Sequence, residues 1–239
     1  MRKEEKPSIR KLPLFRDIMP QTFDTLMMAA YSQNFPPLLD LFREGEKADF
    51  LHVVVEGAVE LHAKWNGRET VMAVVRPVSA FILAACVSDM VYLMSARTLE
   101  KSRIIMLPAG DLRSAMRRDP DLAMASMNEL AMSYRVMVRH AKNLKLRSAR
   151  ERLAAWILQQ SGLAGSTPSF FLPLEKRQLA TYLGITAESL SRLLRGLQPD
   201  GVKVDGTRII ITDINRLRQV TELDHLLDDE VVTFEDRVS

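Results

Sequence analysis

The stretch from Leu179 to Leu193 constrains this chain more than any other part of it. Two short helices that cross steeply need a small residue where their backbones approach, and Ala180 supplies it. They need a turn residue that tolerates positive φ, and Gly184 supplies that. Leu179, Leu183, Ile185, Leu190 and Leu193 then form an apolar wedge between them, with Thr186 as N-cap of the second helix. Small, turn and wedge positions at this spacing define a helix-turn-helix.

The outward face of the second helix then acquires a meaning. Glu188, Ser191 and Arg192 fall at i, i+3 and i+4, opposite Leu190 and Leu193. In this motif the second helix enters the major groove and offers its N-terminal exposed residues to base edges. Arg192 can donate two bonds to guanine, Glu188 can accept from cytosine, and Ser191 can do either. A solvated Glu–Arg pair at i, i+4 is the plainer alternative, worth about 0.3 kcal/mol to a helix. It leaves Ser191 and the position of the trio unexplained.

Charge supports an anionic partner for this region. Residues 142–220 hold 13 Lys and Arg against 6 Asp and Glu, a net +7, whereas the tail 221–239 carries −6. Arg177, Thr186, Ser189, Arg195, Lys203 and Arg208 are candidate phosphate contacts, which position a protein on duplex without specifying sequence.

Upstream the pattern changes twice. Residues 12–33 read as helical with a turn at Pro20, and residues 34–107 as short alternating strands, with Asn66-Gly67 as a hairpin turn. Several strands separated by turns indicate an antiparallel roll or barrel. A helical stretch from about Asp111 to Leu146 follows. On it Met127, Leu130, Tyr134, Met137, Ala141 and Leu144 are spaced 3, 4, 3, 4, 3 as an a/d seam. A homodimer seam is the preferred reading; packing of that helix on its own roll is the alternative. After a further helix at 148–161 and the helix-turn-helix, two strands are expected around Asp205-Gly206 as a wing.

The expected organisation is therefore α+β. A sensor β-roll domain with an N-terminal helix takes residues 1–110, a dimerisation helix 111–147, a winged helix-turn-helix 148–222 and an acidic tail 223–239. Hydrophobic residues make up 47% of the 239, enough for a sizeable core. No apolar run reaches the roughly 18 residues of a membrane span, and the charged N-terminus lacks a secretory signal, so a cytoplasmic location with no membrane partner is expected. The single Cys86 excludes an intrachain disulfide framework. No nucleophile–base pair, Gly-rich phosphate loop or metal-spaced cluster stands out, so neither an enzyme nor a metal site is expected. A signalling module that uses such a roll without DNA would leave the +7 segment without a purpose.

Taken over residues 12–220, the chain resembles the Crp/Fnr family of bacterial transcription regulators. The residues that carry this are "FREGEKADFLHVVVEGAVEL" in the roll and "ATYLGITAESLSRLLRGLQPDG" in the helix-turn-helix. The resemblance implies a cyclic-nucleotide-binding-like double-stranded β-helix and a homodimer on palindromic double-stranded DNA. It implies Glu188, Ser191 and Arg192 as readers of half-sites of the TTGAT type, with RNA polymerase as a further partner.

The family's effector signatures are missing. The Gly-Glu and Arg-Ser/Thr pairs that hold a cyclic nucleotide phosphate are replaced near Ile82 and near Tyr92-Leu93; Arg97 comes a few residues late and has no glutamate partner. An anionic phosphate would be unpaired in that apolar wall, which disfavours cyclic AMP. Cysteines before Cys86 are lacking, which excludes the family's iron–sulfur mechanism. Three alternatives stay open. One is a small apolar or aromatic effector near Phe81, Ile82, Leu83, Val87, Tyr92 and Met94. Another is haem, as in members of the family that sense nitric oxide or carbon monoxide, for which His52 and His62 fall on the polar strand face and read as surface residues. The third is no effector at all.

Overall fold

The computed structural model describes residues 5–163, 165, 167–172 and 175–228. Two compact units divide between Tyr134 and Arg135. The first opens with α1 (Lys6–Arg10) and α2 (Pro20–Ala29), continues through strands β1 (Tyr31–Phe35), β2 (Asp40–Phe42), β3 (Phe50–Glu56), β4 (Val59–Trp65), β5 (Arg68–Val75) and β6 (Ser79–Phe81), and turns through α3 (Leu83–Ser88) into β7 (Ser95–Thr98) and β8 (Ser102–Pro108). Helix α4 (Ala109–Arg118) follows, and the long α5 (Pro120–Leu146) runs across the division. The strands form two four-stranded antiparallel sheets, ordered β1-β8-β3-β6 and β2-β7-β4-β5.

Asn66-Gly67 makes the tight link between β4 and β5, where Trp65 pairs with Arg68 and both turn residues have positive φ, as a type I′ turn requires. Gly57 has no substitute: at φ +87° an added Cβ would lie 2.7 Å from the Lys101 carbonyl oxygen. Leu51, Val53, Val54, Ile104, Ile105 and Leu107 are fully or almost fully buried and belong to one core that also takes in α2 and α4.

Three sequence expectations change here. The helical reading of 12–33 holds only for Pro20–Ala29, because Tyr31–Phe35 pairs with β8 as an edge strand. The stretch from Asp111 to Leu146 is two helices. Pro120 cannot donate to a preceding turn, and buried Asp119 sits extended between them, accepting from the backbone N–H groups of Asp121 and Leu122. His52 and His62 are buried, at 3% and 2% exposure. Both sides of β3 are covered: Leu51 and Val53 are buried on one, and on the other His52 packs against Phe42 and Phe81 at ring distances of 5.0 and 5.4 Å. Alternation marks two faces but does not say that both are covered.

The second unit begins with the last turns of α5 and contains α6 (Ala149–Leu163), β9 (Ser169–Phe171), α7 (Lys176–Tyr182), α8 (Ala187–Gly196), β10 (Val202–Asp205), β11 (Arg208–Ile211), α9 (Ile214–Val220) and α10 (His225–Asp228). Its sheet is three-stranded, β10-β11-β9, where the sequence indicates two strands. Asp205 closes β10 and the wing turn itself is Gly206-Thr207, with Gly206 at φ +59°. The described part of the acidic tail, to Asp228, ends in α10, whose Asp228 accepts two hydrogen bonds of 2.6 Å from the Arg147 guanidinium; residues 229–239 of that tail lie outside the described residues.

Burial lowers the His52 pKa to about 4, so the folded protein keeps that imidazole neutral where an unfolded chain protonates it. Stability is therefore level above about pH 6.5 and falls by up to about 3 kcal/mol as pH drops toward 4. Urea titrations across that range should show this slope in the wild type and a flatter one in His52→Leu; equal slopes would contradict the assignment.

Candidate nucleic-acid interface

The helix-turn-helix is built as its residues require. Leu179, Leu183 and Leu190 are buried to 1% exposure or less, and Ala180 to 2%. Leu194, not Leu193, completes the wedge: Leu194 is 4% exposed and Leu193 only half-buried at its edge. Gly184 turns the chain at φ +66°, with the Ile185 N–H donating back to the Ala180 carbonyl. Thr186 caps α8 by accepting from the Ser189 N–H at 3.1 Å, and its own hydroxyl donates to Ser189 Oγ at 3.0 Å.

With α8 fixed in this way, Glu188, Ser191 and Arg192 are exposed. Glu188 and Arg192 have no ion-pair or hydrogen-bond partner among the described residues, so the i, i+4 pair of the plainer alternative is not formed. The Ser191 hydroxyl donates to the Ala187 carbonyl at 3.0 Å, which leaves its lone pairs free to accept.

Basic residues flank the trio. Arg177 and Lys203 are exposed. Exposed Arg195 donates through Nε to the Ser191 carbonyl at 3.3 Å. Arg208 reaches Ser169 Oγ at 2.7 Å and lies 5.9 Å from the Phe171 ring centre, so the third wing strand sets its position. Thr186 and Ser189 are exposed and half-buried respectively, and both are engaged in the α8 cap. Sequence reading missed Lys176, which joins Ser191, Arg195, Gln198 and Val204 around a cleft beside α8. The adjacent pair Lys176-Arg177 at a helix start was the available signal.

A buried cation anchors the turn. Arg152 of α6, 8% exposed, donates through Nε to the Leu183 carbonyl at 2.9 Å and through Nη1 to the Arg147 carbonyl at 2.6 Å. Leu144 packs at the same turn, where a Cβ on Gly184 would come within 2.8 Å of its Cδ2. The end of α5 therefore touches the turn that orients α8.

Of the residues expected from the sequence to line an effector pocket, Phe81 and Tyr92 are buried, while Ile82, Leu83, Val87 and Met94 are half-buried. Tyr92 stacks on Phe42 at 3.9 Å between ring centres and donates to the Phe50 carbonyl at 3.2 Å. Burial pushes the Tyr92 phenol and the Cys86 thiol both up to about 12. Arg97 does have carboxylate partners, Glu60 and Glu69 from neighbouring strands, which proximity in sequence does not reveal. On α5, Met127, Tyr134, Met137 and Leu144 are 55%, 68%, 67% and 39% exposed, Ala141 is exposed and Leu130 half-buried.

A roll followed by a winged helix-turn-helix with an exposed polar face is the build of a DNA-binding regulator. Residues 33–119 match a cyclic nucleotide-binding domain and residues 151–220 a Crp-like helix-turn-helix domain. The chain belongs to the Crp/Fnr family, whose members are transcription regulators and not enzymes. It is 22% identical over 210 residues to the CRP-like cAMP-activated global transcriptional regulator of Mycobacterium tuberculosis, covering 85% of this chain and 94% of that one. It is 26% identical to the nitrogen fixation regulation protein FixK of Azorhizobium caulinodans, with 76% and 75% covered. Among solved structures, FixK2 of Bradyrhizobium japonicum superposes with a TM-score of 0.63 at 23% identity, covering 82% of this chain and 98% of that one. The catabolite activator protein of Thermus thermophilus does so at 0.51 and 23%, covering 87% and 97%. Among the described residues no helix is long and apolar enough to cross a membrane.

Replacing Arg152 with Met keeps the stem but strands the Leu183 and Arg147 carbonyls, at a cost of about 2–3 kcal/mol. Chemical denaturation of the full chain should show that loss; an unchanged midpoint would mean the guanidinium does not anchor the turn.

Proposed function

We propose that the chain acts in the cytoplasm as a homodimer on palindromic DNA, reading half-sites of the TTGAT type through Glu188, Ser191 and Arg192. The observation that carries this is the pair Glu188 and Arg192, exposed one helical turn apart and without a bonding partner among the described residues. A carboxylate and a guanidinium kept free on the groove-facing side of α8 can meet cytosine and guanine without first breaking a protein contact. Arg177, Arg195, Lys203 and Arg208, with Lys176 beside them, would grip phosphates around that helix, and the Thr186–Ser189 cap would present backbone N–H groups to one.

The second copy would cover the exposed seam of α5, placing two reading helices about one duplex turn, roughly 34 Å, apart. Contact of Leu144 with the Gly184 turn, and of Arg152 with both the Arg147 carbonyl just after α5 and the turn, supports a route from helix pairing to reader orientation. A small effector in the roll would act by shifting the balance between two pairings. RNA polymerase would be the further partner of the DNA-bound dimer.

Cyclic AMP fits this effector role poorly, because the carboxylates of Glu60 and Glu69 already take the charge of Arg97. The Phe42–Tyr92 stack favours an apolar or aromatic effector that displaces one ring, or a constitutive binder whose roll is simply closed. Haem remains the alternative with His52 as axial ligand, since its imidazole is neutral and sits among the aromatic rings. Cys86, kept as a thiol, is a poor ligand.

Binding titrations test the reading. Arg192→Ala should cost about 1–3 kcal/mol on the operator and relax preference at one base, whereas Lys203→Ala should weaken all duplexes alike and lower the salt slope by about 1. Equal, sequence-independent losses in both would remove the trio as readers. Tyr134→Glu with Met137→Glu should yield a monomer by sedimentation, with operator affinity down at least about 100-fold as the second half-site becomes a separate binding event. A double variant that stays dimeric would place the seam elsewhere.

A further inference from the structure

The second sheet of the roll holds a polar cluster that DNA reading does not use. Glu60 and His62 stand two residues apart on β4 and so share a face, and Glu69 meets them from β5 across the Asn66-Gly67 hairpin. One oxygen from each carboxylate and one ring nitrogen of His62 lie within 4.8 Å of one another. Glu60 is 7% exposed and His62 2%. The imidazole Nδ1 is buried without a hydrogen-bond partner among the described residues.

Arg97, opposite Glu60 on β7, is the cluster's internal cation. Its bonding is incomplete. Both carboxylates take the same nitrogen, Nη2, while Nε is buried with no partner among the described residues. A guanidinium facing carboxylates ordinarily uses its fork, two parallel N–H bonds to one partner. Charge neutralisation by Arg97 and by Lys64, 2.9 Å from Glu69, accounts for the acids but for neither orphaned nitrogen.

We propose that Glu60, His62 and Glu69 form a site for a divalent transition-metal ion of the Zn2+ type, the ion taking the place of the Arg97 guanidinium between the two carboxylates. One imidazole nitrogen and two carboxylate oxygens make a three-ligand N/O set of the kind Zn2+ uses, with the fourth position open to water. The nitrogen ligand and the low ligand number argue against Ca2+ and Mg2+, which take six or more oxygens. Bound there, the ion ties the β4–β5 hairpin together and releases Arg97. Sequence reading expected no metal because Glu60 and His62 are joined to Glu69 only through the hairpin.

The test uses the full chain, stripped of metal and titrated with Zn2+ against a chromophoric chelator, and with Co2+ by visible absorption. The wild type should bind one Zn2+ that His62→Gln weakens by at least about tenfold, as loss of a ligand requires. Arg97→Gln removes the competing cation and leaves all three ligands. It should bind Zn2+ more tightly than wild type, and Zn2+ should restore its lowered melting midpoint. Should His62→Gln not fold, the Arg97→Gln comparison decides alone. Absence of binding by the wild type, equal binding by His62→Gln, or unchanged or weaker binding by Arg97→Gln would each overturn the proposal.

Discussion

The second unit depends on the turn at Gly184. A left-handed residue there lets the chain reverse between α7 and α8, and buried Leu179, Leu183, Leu190 and Leu194 hold the two helices at the resulting angle. Burying four leucines contributes on the order of 6–12 kcal/mol in transfer terms before entropy is charged against it. Arg152 then binds the Leu183 carbonyl, which would otherwise be stranded beside the turn. Once that geometry is fixed, α8 has only one face left for solvent. Its polar side chains there are the Glu188 carboxylate, the Ser191 hydroxyl and the guanidinium groups of Arg192 and Arg195.

Where local chemistry has a single solution, the fold is legible in the sequence. Asn66-Gly67 demanded a two-residue hairpin, Thr186 demanded a helix start, and both occur where the residues indicate. The exposed placement of Glu188, Ser191 and Arg192 on α8 was legible because their spacing puts them opposite the buried leucines. Where the outcome depends on distant strands, legibility fails. Tyr31–Phe35 becomes a strand because β8 offers it an edge, and Ser169–Phe171 because β11 does. Parity places His52 and His62 on the solvent side, although a roll made of two sheets covers the face they occupy. Leu194 displaced Leu193 from the wedge by one residue, a rotation of about 100° that spacing alone does not fix.

The roll illustrates a different limit. Its interior side chains stack on one another, so a residue pattern that suggests a pocket is equally the pattern of a filled core. What distinguishes the roll from an inert scaffold is the polar chemistry retained within it. Arg97 is committed to two carboxylates rather than to a ligand phosphate, and buried imidazoles are kept neutral or unpaired. Buried polar groups without partners are costly, so they mark positions where sequence and packing do not yet agree.

The most direct measurement pairs a change in the protein with a change in a single DNA atom. Replacing the guanine of one half-site with 7-deazaguanine removes the N7 acceptor while leaving base pairing intact. If Arg192 reads that guanine, the substitution costs the wild type about 1–3 kcal/mol of affinity and costs Arg192→Ala nothing further. Equal losses in the two proteins would show that the guanidinium on α8 does not touch the base, and the account of this face as a reader would be wrong.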